Sequence, residues 1–184
     1  MQIFKSFRSF LFESLETFVT TFVVIAVIYQ FIAMPEMVWG ASMEPNFVTG
    51  ERILVEKVTK YLKTYQRGEV VVLNPPNDKN VDYIKRVIGL PGEIVKISNC
   101  VVQIKSQDER FVLEESYLDA ATCTTSGSYF QEGRSVKIPD GEYLVLGDNR
   151  EVSADSRYFG FVKKDMILGR VVFRFWPLDK VSFF

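Results

Sequence analysis

The uncharged apolar segment at residues 17–34 limits most strongly how this chain can fold. It reads TFVTTFVVIAVIYQFIAM. As an α-helix it would be about 27 Å long, at ~1.5 Å per residue, which is close to the thickness of the hydrocarbon core of a bilayer. Pro35 follows directly, and we expect the helix to stop there because proline lacks an amide donor and crowds the preceding turn. We interpret the segment as a single transmembrane helix.

Two other interpretations of this segment are weaker. A cleaved signal peptide carries small residues at the first and third positions before the cut. Of the pair Trp39 and Ala41, only Ala41 is small. A buried core helix of a globular protein shows one apolar stripe, whereas here apolar residues occur all round. A retained membrane anchor therefore fits best.

Charged residues on either side of the segment predict its orientation. Lys5 and Arg8 precede it, whereas Glu36 and Glu44 follow it. Because positive charge stays on the cytoplasmic side of a membrane, we expect residues 1–16 to be cytoplasmic. Everything after the segment is then expected outside the cytoplasm.

The chain after residue 50 predicts an antiparallel β domain. Short runs rich in β-branched and aromatic residues alternate with turn sequences, and no long amphipathic helix interrupts them. We expect a mainly β sheet, barrel-like or folded as a sandwich, built from residues 35–97 and 135–184. The more polar stretch 98–134 is predicted to be a small inserted β subdomain without a catalytic role. The predicted strands are Arg52–Val58, Glu69–Leu73, Tyr83–Ile88, Ile94–Ile97, Val101–Ile104, Val136–Ile138, Glu142–Leu146 and Arg170–Phe175.

Composition excludes several kinds of site. The chain has no histidine and two cysteines, Cys100 and Cys123, so we expect neither a transition-metal site nor a cofactor. A net charge of −1 lacks the basic footprint of a nucleic-acid-binding protein. If this region lies outside the cytoplasm, the two cysteines can form a disulfide. Two separate buried thiols are the alternative.

Ser42 and Lys85 are the candidate catalytic residues. Ser42 lies eight residues after the apolar segment, in the turn-forming sequence Gly40–Pro45. Such a serine normally takes its base from a histidine, and the chain has none. Lys85 and its neighbour Arg86 lie in an otherwise apolar run, so on a strand one of them points to the interior. Burial lowers the pKa of a lysine from about 10.4 and makes it a possible base. The ordinary alternatives are a loop serine and a surface lysine.

A third polar segment, GDNREVSADSR at residues 147–157, combines turn formers, carboxylates and arginines. Such a density of hydrogen-bonding groups suits a buried polar network that supports a site. A long surface turn braced by ion pairs is the alternative. The composition of the segment alone does not decide between them.

Three ordered motifs resemble those of the bacterial type I signal peptidases. They are SMEP at 42–45, KRVIGLPGE at 85–93 and GDNREVSADSRYFG at 147–160, with RGEVVV at 67–72 as a further familiar element. The resemblance covers nearly all of residues 36–177. It implies a membrane-bound serine endopeptidase of the bacterial plasma membrane that removes N-terminal signal peptides from exported preproteins. Such an enzyme cuts after small residues at the first and third positions before the bond.

The resemblance also implies roles for individual residues. Ser42 would be the nucleophile and Lys85 its general base, while Ser153 would hydrogen-bond Lys85 and orient it. Asp148, Asp155 and Arg157 would shape the site through ion pairs, without touching substrate. Shallow apolar substrate pockets would be lined by Val38, Met43, Phe47, Ile53, Val72, Tyr83 and Ile84.

Gly40 departs from some members of this family, which carry there a serine whose hydroxyl helps to bind the oxyanion. Glycine cannot do so, and the oxyanion hole would use backbone amides, that of Ser42 first and one from the peptide of Gly40 second. An extended substrate would pair with the strand edges near 37–41 and 81–84. The expected partners are signal peptides and the lipid bilayer, with no nucleic acid, and the expected state is a monomer.

Two other functions stay open on the sequence alone. A self-cleaving repressor-type Ser/Lys protease has similar serine and lysine elements, but it carries a DNA-binding helical domain in place of a bilayer span. A catalytically inactive, membrane-tethered β domain could bind exported peptides. Every residue proposed for catalysis is nevertheless present, which favours an active enzyme.

Overall fold

The computed structural model describes residues 2–78, 80–106 and 109–184. Met1, where the predicted cytoplasmic segment starts, lies outside these residues, as do residues 107–108 of the predicted insertion. The helices are α1 (Gln2–Val27), α2 (Val58–Leu62) and α3 (Ser156–Phe159). The strands are β1 (Ala33–Met37), β2 (Arg52–Glu56), β3 (Val70–Leu73), β4 (Tyr83–Gly89), β5 (Ile94–Ser98), β6 (Val101–Ser106), β7 (Glu109–Val112), β8 (Ser135–Lys137), β9 (Glu142–Leu146), β10 (Val162–Lys163), β11 (Ile167–Trp176) and β12 (Ser182–Phe183).

The N-terminal helix is longer than the apolar segment at its start and shorter at its end. Helix α1 begins at Gln2, and a π-helical turn at Ile28–Ile32 ends it. The prediction that Pro35 stops the helix is wrong. The helix has already ended at Ile32, and Pro35 lies inside β1 opposite Leu54. Since β1 is the edge strand of its sheet, a residue without an amide donor is tolerated there. Within the described residues, one stretch, Phe10–Ile32, is long and apolar enough to cross a membrane, and none of it is buried in the protein.

The larger sheet confirms the predicted mainly β, antiparallel fold. Its strand order is β1-β2-β11-β3-β4-β9-β10, and β12 pairs with β11. Irregularities in β11 shift its register against both β2 and β3, and such bulges bend and twist a strand. All four residues of β3 are buried, because apolar clusters cover both faces of the sheet.

The smaller sheet, in the order β7-β6-β5-β8, corresponds to the predicted insertion but extends beyond 98–134 at both ends. It starts with β5 at Ile94 and finishes with β8 at Lys137. Its apolar side chains pack against residues of β4 and β9, so the two sheets share one hydrophobic cluster. Cys100 and Cys123 form a disulfide, with their Cα atoms 4.4 Å apart.

The predicted strand Arg52–Val58 is two residues shorter in the structure. Arg52–Val58 was expected to be extended throughout, but β2 ends at Glu56 and Val58 begins α2. The carboxylate of Glu56 explains the change, because it accepts a hydrogen bond of 3.1 Å from the backbone amide of Thr59 in the first helical turn. This contact satisfies an amide that has no partner inside the helix.

Candidate active site

Ser42 and Lys85 meet at the edge of a cleft in the larger sheet. Ser42 lies in the turn after β1, and Lys85 lies in the middle of β4. The Nζ atom of Lys85 donates a hydrogen bond of 2.9 Å to Ser42 Oγ and one of 2.8 Å to the carbonyl oxygen of Ile84. Both acceptors are neutral, so the amine binds no carboxylate through these contacts.

Burial governs the protonation of Lys85. Its exposed fraction is 2%, and burial lowers its pKa to about 8, while the carboxylates of Asp155 and Asp148 act in the opposite direction. The Nζ atom also lies 4.9 Å from the ring centroid of Tyr83. An amine with a pKa near 8 is partly neutral at ordinary pH, as a general base must be.

The loop that carries Asp148 holds the backbone of Ser42. The amide of Asn149 donates a hydrogen bond of 3.0 Å to the carbonyl oxygen of Ser42. At Gly147 the two segments are so close that a Cβ atom would clash with this oxygen and with Ser153 Oγ. Only glycine allows this approach, which explains the first residue of the GDN sequence.

Asp155 and Arg157 form an ion pair that is completely buried. Both side chains have no exposed area, and Asp155 accepts hydrogen bonds of 2.8 and 2.9 Å from Nε and Nη2 of Arg157. Asp155 also accepts a bond of 3.0 Å from the amide of Gly147. The pair thus fixes the start of the loop that holds Ser42.

Asp148 pairs with Arg86, a partner that the sequence did not assign. Arg86 donates hydrogen bonds of 2.8 and 2.6 Å to the two carboxylate oxygens. The side-chain nitrogen Nδ2 of Asn46 donates a third hydrogen bond, of 2.9 Å, to Asp148. The ring centroid of Tyr117 lies 3.9 Å from the Arg86 guanidinium. The sequence offered one signal for this contact. Lys85 and Arg86 were expected on opposite faces of the strand, so that one faces the interior and the other is left to find a different partner.

Arg150 is a second supporting residue without a predicted role. It is 2% exposed, and its Nε donates a hydrogen bond of 2.9 Å to the carbonyl oxygen of Gly147. Its other nitrogens bind Glu115 and Thr124 of the smaller sheet's connecting loops. The inserted unit, for which no catalytic role was expected, therefore braces the loop behind Ser42. No local pattern marks Glu115 for this function.

Ser153 differs from its predicted role. Its hydroxyl is buried and has no hydrogen-bond partner in the described part of the chain, so the expected bond to Lys85 is absent from the structure. The reason is geometric: Ser153 Oγ lies against Gly147, while the bonds of Lys85 Nζ go to Ser42 and Ile84.

Two adjoining clefts lead to Ser42. The inner one, of about 380 Å³, is lined by Gly40, Ser42, Tyr83 and Lys85 among others. The outer one, of about 330 Å³, shares Ile84 with it. Three more of the predicted pocket residues line the outer cleft: Val38, Ile53 and Val72.

Met43 and Phe47 do not line either cleft. Both side chains are completely buried in the hydrophobic core beneath the clefts. Phe47 packs against Phe184, with ring centroids 4.9 Å apart, and the sulfur of Met43 accepts a hydrogen bond of 3.4 Å from the amide of Asp148. The prediction that they contact substrate is replaced by a packing role, because the turn after Ser42 directs them inward.

Gly40 adopts a positive φ of 83°, and a Cβ atom there would have no neighbour within 4 Å. The backbone at this position therefore faces open space in the inner cleft. Within the described ranges, no group of three or more histidine, cysteine, aspartate or glutamate side chains could hold a metal ion.

Comparisons with known proteins agree on one family. The family described as signal peptidase, peptidase S26, matches residues 11–176. A relative named "Probable signal peptidase I-2" from Synechocystis is 39% identical over 91% of this chain and 74% of its own length. A "Signal peptidase IB" from Staphylococcus aureus is 36% identical over 94% of this chain and 93% of its own. A crystal structure of a signal peptidase I from Enterococcus faecalis is 34% identical, with a TM-score of 0.47, and the match covers 59% of this chain and 97% of that one.

Proposed function

Because this chain belongs to the signal peptidase family, peptidase S26, we propose that Ser42 is its nucleophile and Lys85 its general base. The chain is a serine endopeptidase that removes signal peptides from preproteins. The observation that carries the dyad is the 2.9 Å contact between Lys85 Nζ and Ser42 Oγ. It supports proton transfer because the lysine is buried and has a lowered pKa.

The reaction proceeds in two steps. Neutral Lys85 takes the hydroxyl proton while Ser42 Oγ attacks the carbonyl carbon of the scissile bond. The ammonium then gives this proton to the leaving amine, the C–N bond breaks, and the signal peptide remains as an ester on Ser42. Lys85 next removes a proton from water as the water oxygen attacks the ester carbonyl. The acyl C–Oγ bond then breaks, the ammonium returns this proton to Ser42 Oγ, and the signal peptide leaves with a free carboxyl end.

Backbone amides stabilise the oxyanion in both steps. The amide of Ser42 is the first donor, and the peptide of Gly40 provides the second. The open space in front of Gly40 leaves room for the carbonyl oxygen of a substrate. In some members of the family a serine hydroxyl at the position of Gly40 helps to bind the oxyanion. In this chain backbone amides replace it.

The two clefts bind the residues before the cut. An extended substrate pairs with the edges near 37–41 and 81–84, and its alternate side chains enter the clefts. The two clefts, of about 330 and 380 Å³, share Ile84. We attribute to them the proposed preference for small side chains at the first and third positions before the cut.

Residues 10–32 anchor the enzyme in the bacterial plasma membrane, with the N-terminus in the cytoplasm and the catalytic domain outside. The length and apolar surface of this stretch and the charge asymmetry around it support this topology. The anchor also raises the concentration of substrates held in the same bilayer. Ser42 and Lys85 come from the same chain, so the proposed dyad needs no second copy, and the proposed state of the enzyme is a monomer.

The proposal is tested with purified full-length protein and a preprotein in detergent micelles. Ser42→Ala and Lys85→Met should each abolish cleavage, whereas Ser106→Ala and Lys105→Met should not, because these control residues lie in β6, away from the cleft. Cleavage retained by Lys85→Met would refute the dyad, and normal cleavage by Ser42→Ala would refute the nucleophile. Labelling of Ser42 by an acylating probe excludes an inactive peptide-binding domain.

A further inference from the structure

The junction between the N-terminal helix and the catalytic sheet contains no linker. The π-helical turn ends at Ile32, and β1 begins at Ala33, which already pairs with Glu56 of β2. After β1, the amide of Val38 donates another backbone hydrogen bond of 2.9 Å to the residue that precedes β2. Ser42 follows four positions later. The path from the membrane-type helix to the nucleophile is therefore held by the sheet over most of its length.

Lys57 binds the end of the helix through both its backbone and its side chain. Its amide donates a hydrogen bond of 2.8 Å to Ile32 O. Its Nζ donates bonds of 2.9 Å to Tyr29 O and 3.4 Å to Gln30 O, and lies 5.3 Å from the ring centroid of Tyr29. One residue of the catalytic domain thus binds three carbonyl groups of the last helical turn.

These contacts are strong for physical reasons. The last carbonyls of a helix have no partner inside it, and the helix dipole favours a cation beside them. Next to hydrocarbon, a carbonyl that loses its partner is costly. The helix end and the end of β2 are consequently fixed to each other, and a change in the height of the helix in the bilayer moves Ser42 with it.

We propose that Lys57 is a specificity-determining residue, which fixes the height of Ser42 above the bilayer. The enzyme then selects signal peptides by the number of residues between their membrane-embedded segment and the scissile bond. The inference rests on the proposed function, in which enzyme and substrate share one bilayer. One residue more or fewer in an extended substrate moves the scissile bond by about 3.3 Å, so a fixed nucleophile distinguishes changes of one or two residues.

The test uses full-length enzyme in phospholipid vesicles with preproteins whose spacing before the cut is lengthened or shortened in single-residue steps. Wild type should show a narrow optimum. Lys57→Ala should broaden it, so that the preference for the best spacing over one three residues longer falls at least threefold. Lys57→Arg keeps a donor of similar length and should retain the narrow optimum. Lys60→Ala is the matched control, because Lys60 is on α2 and its Nζ binds Asp165 O at 2.9 Å.

A short soluble peptide with the same cleavage sequence separates this inference from the proposed function. All variants should cut it at the wild-type rate, because it has no membrane-embedded segment. If the wild type cuts neither peptide nor preprotein, the proposed function fails. If Lys57→Ala cuts the peptide normally and keeps the narrow optimum, the role of Lys57 is refuted. A loss of peptide cleavage in Lys57→Ala also refutes it, since Lys57 would then support the catalytic domain itself.

Discussion

The two faces of β4 place adjacent cations in opposite surroundings. Lys85 is buried, and its hydrogen bonds go to the neutral oxygens of Ser42 and Ile84. Arg86 reaches the other face and binds both oxygens of Asp148. Burial lowers the pKa of Lys85, and neither of its hydrogen bonds goes to a carboxylate. The charge of Arg86 is instead compensated by a two-point contact with a carboxylate. The comparison shows how one strand can carry both the proposed base and a structural ion pair.

Placing an arginine at position 85, as at position 86, should have the largest effect on catalytic activity. Lys85→Arg keeps a long cation on the strand, but a guanidinium cannot lose its proton at ordinary pH. Because general-base catalysis is worth about 10²–10⁴-fold, kcat for cleavage of a preprotein should fall by that factor. Activity within tenfold of wild type would show that neutral Lys85 is not the base. Circular dichroism of the variant controls for folding.

Breaking the buried ion pair of Asp155 and Arg157 should reduce stability more than any surface change. Asp155→Asn leaves the buried guanidinium of Arg157 without its counter-ion, and breaking a buried pair in this way costs about 3–5 kcal/mol. Urea unfolding of the catalytic domain in the full-length protein measures this loss. The control is Asp179→Asn, at an exposed position, which should change the free energy of unfolding by under about 0.5 kcal/mol. Equal effects of both changes would contradict the role given to the pair.

A change of pH alters the protonation of Lys85, whose hydrogen bonds go to neutral oxygens. In its proposed role as base Lys85 must be neutral, and burial lowers its pKa to about 8. Activity should therefore rise with pH up to about 8 and fall roughly tenfold per unit below it. The carboxylates of Asp155 and Asp148 raise this pKa, so Asp148→Asn should move the acid limb to lower pH. A shift to higher pH would contradict this electrostatic account, and kcat/KM against pH measures it.

Local patterns predicted the strands but not their partners. The apolar run around Lys85 indicated a strand with one cation facing inward, and the structure has that strand. The pairing of Arg86 with Asp148 depends on the order of strands in the sheet, and the contact of Arg150 with Glu115 depends on how the two sheets pack. Neither leaves a periodic signal in the sequence. At Pro35 the rule that proline ends a helix gave a wrong prediction. The residue lies in β1, where pairing with β2 determines its conformation.

Ser153, whose hydroxyl lies against Gly147, should have the smallest effect. Its hydroxyl is buried without a partner among the described residues, and an unsatisfied buried hydroxyl costs about 1–3 kcal/mol. Ser153→Ala removes this cost and leaves only a small cavity, so the free energy of unfolding should stay equal or rise. Because Lys85 Nζ already binds Ser42 and Ile84, kcat should fall by no more than about tenfold, well below the loss expected for the base itself. A loss as large as that of Lys85→Arg, with unchanged stability, would mean that the hydroxyl turns towards Lys85 once substrate is bound.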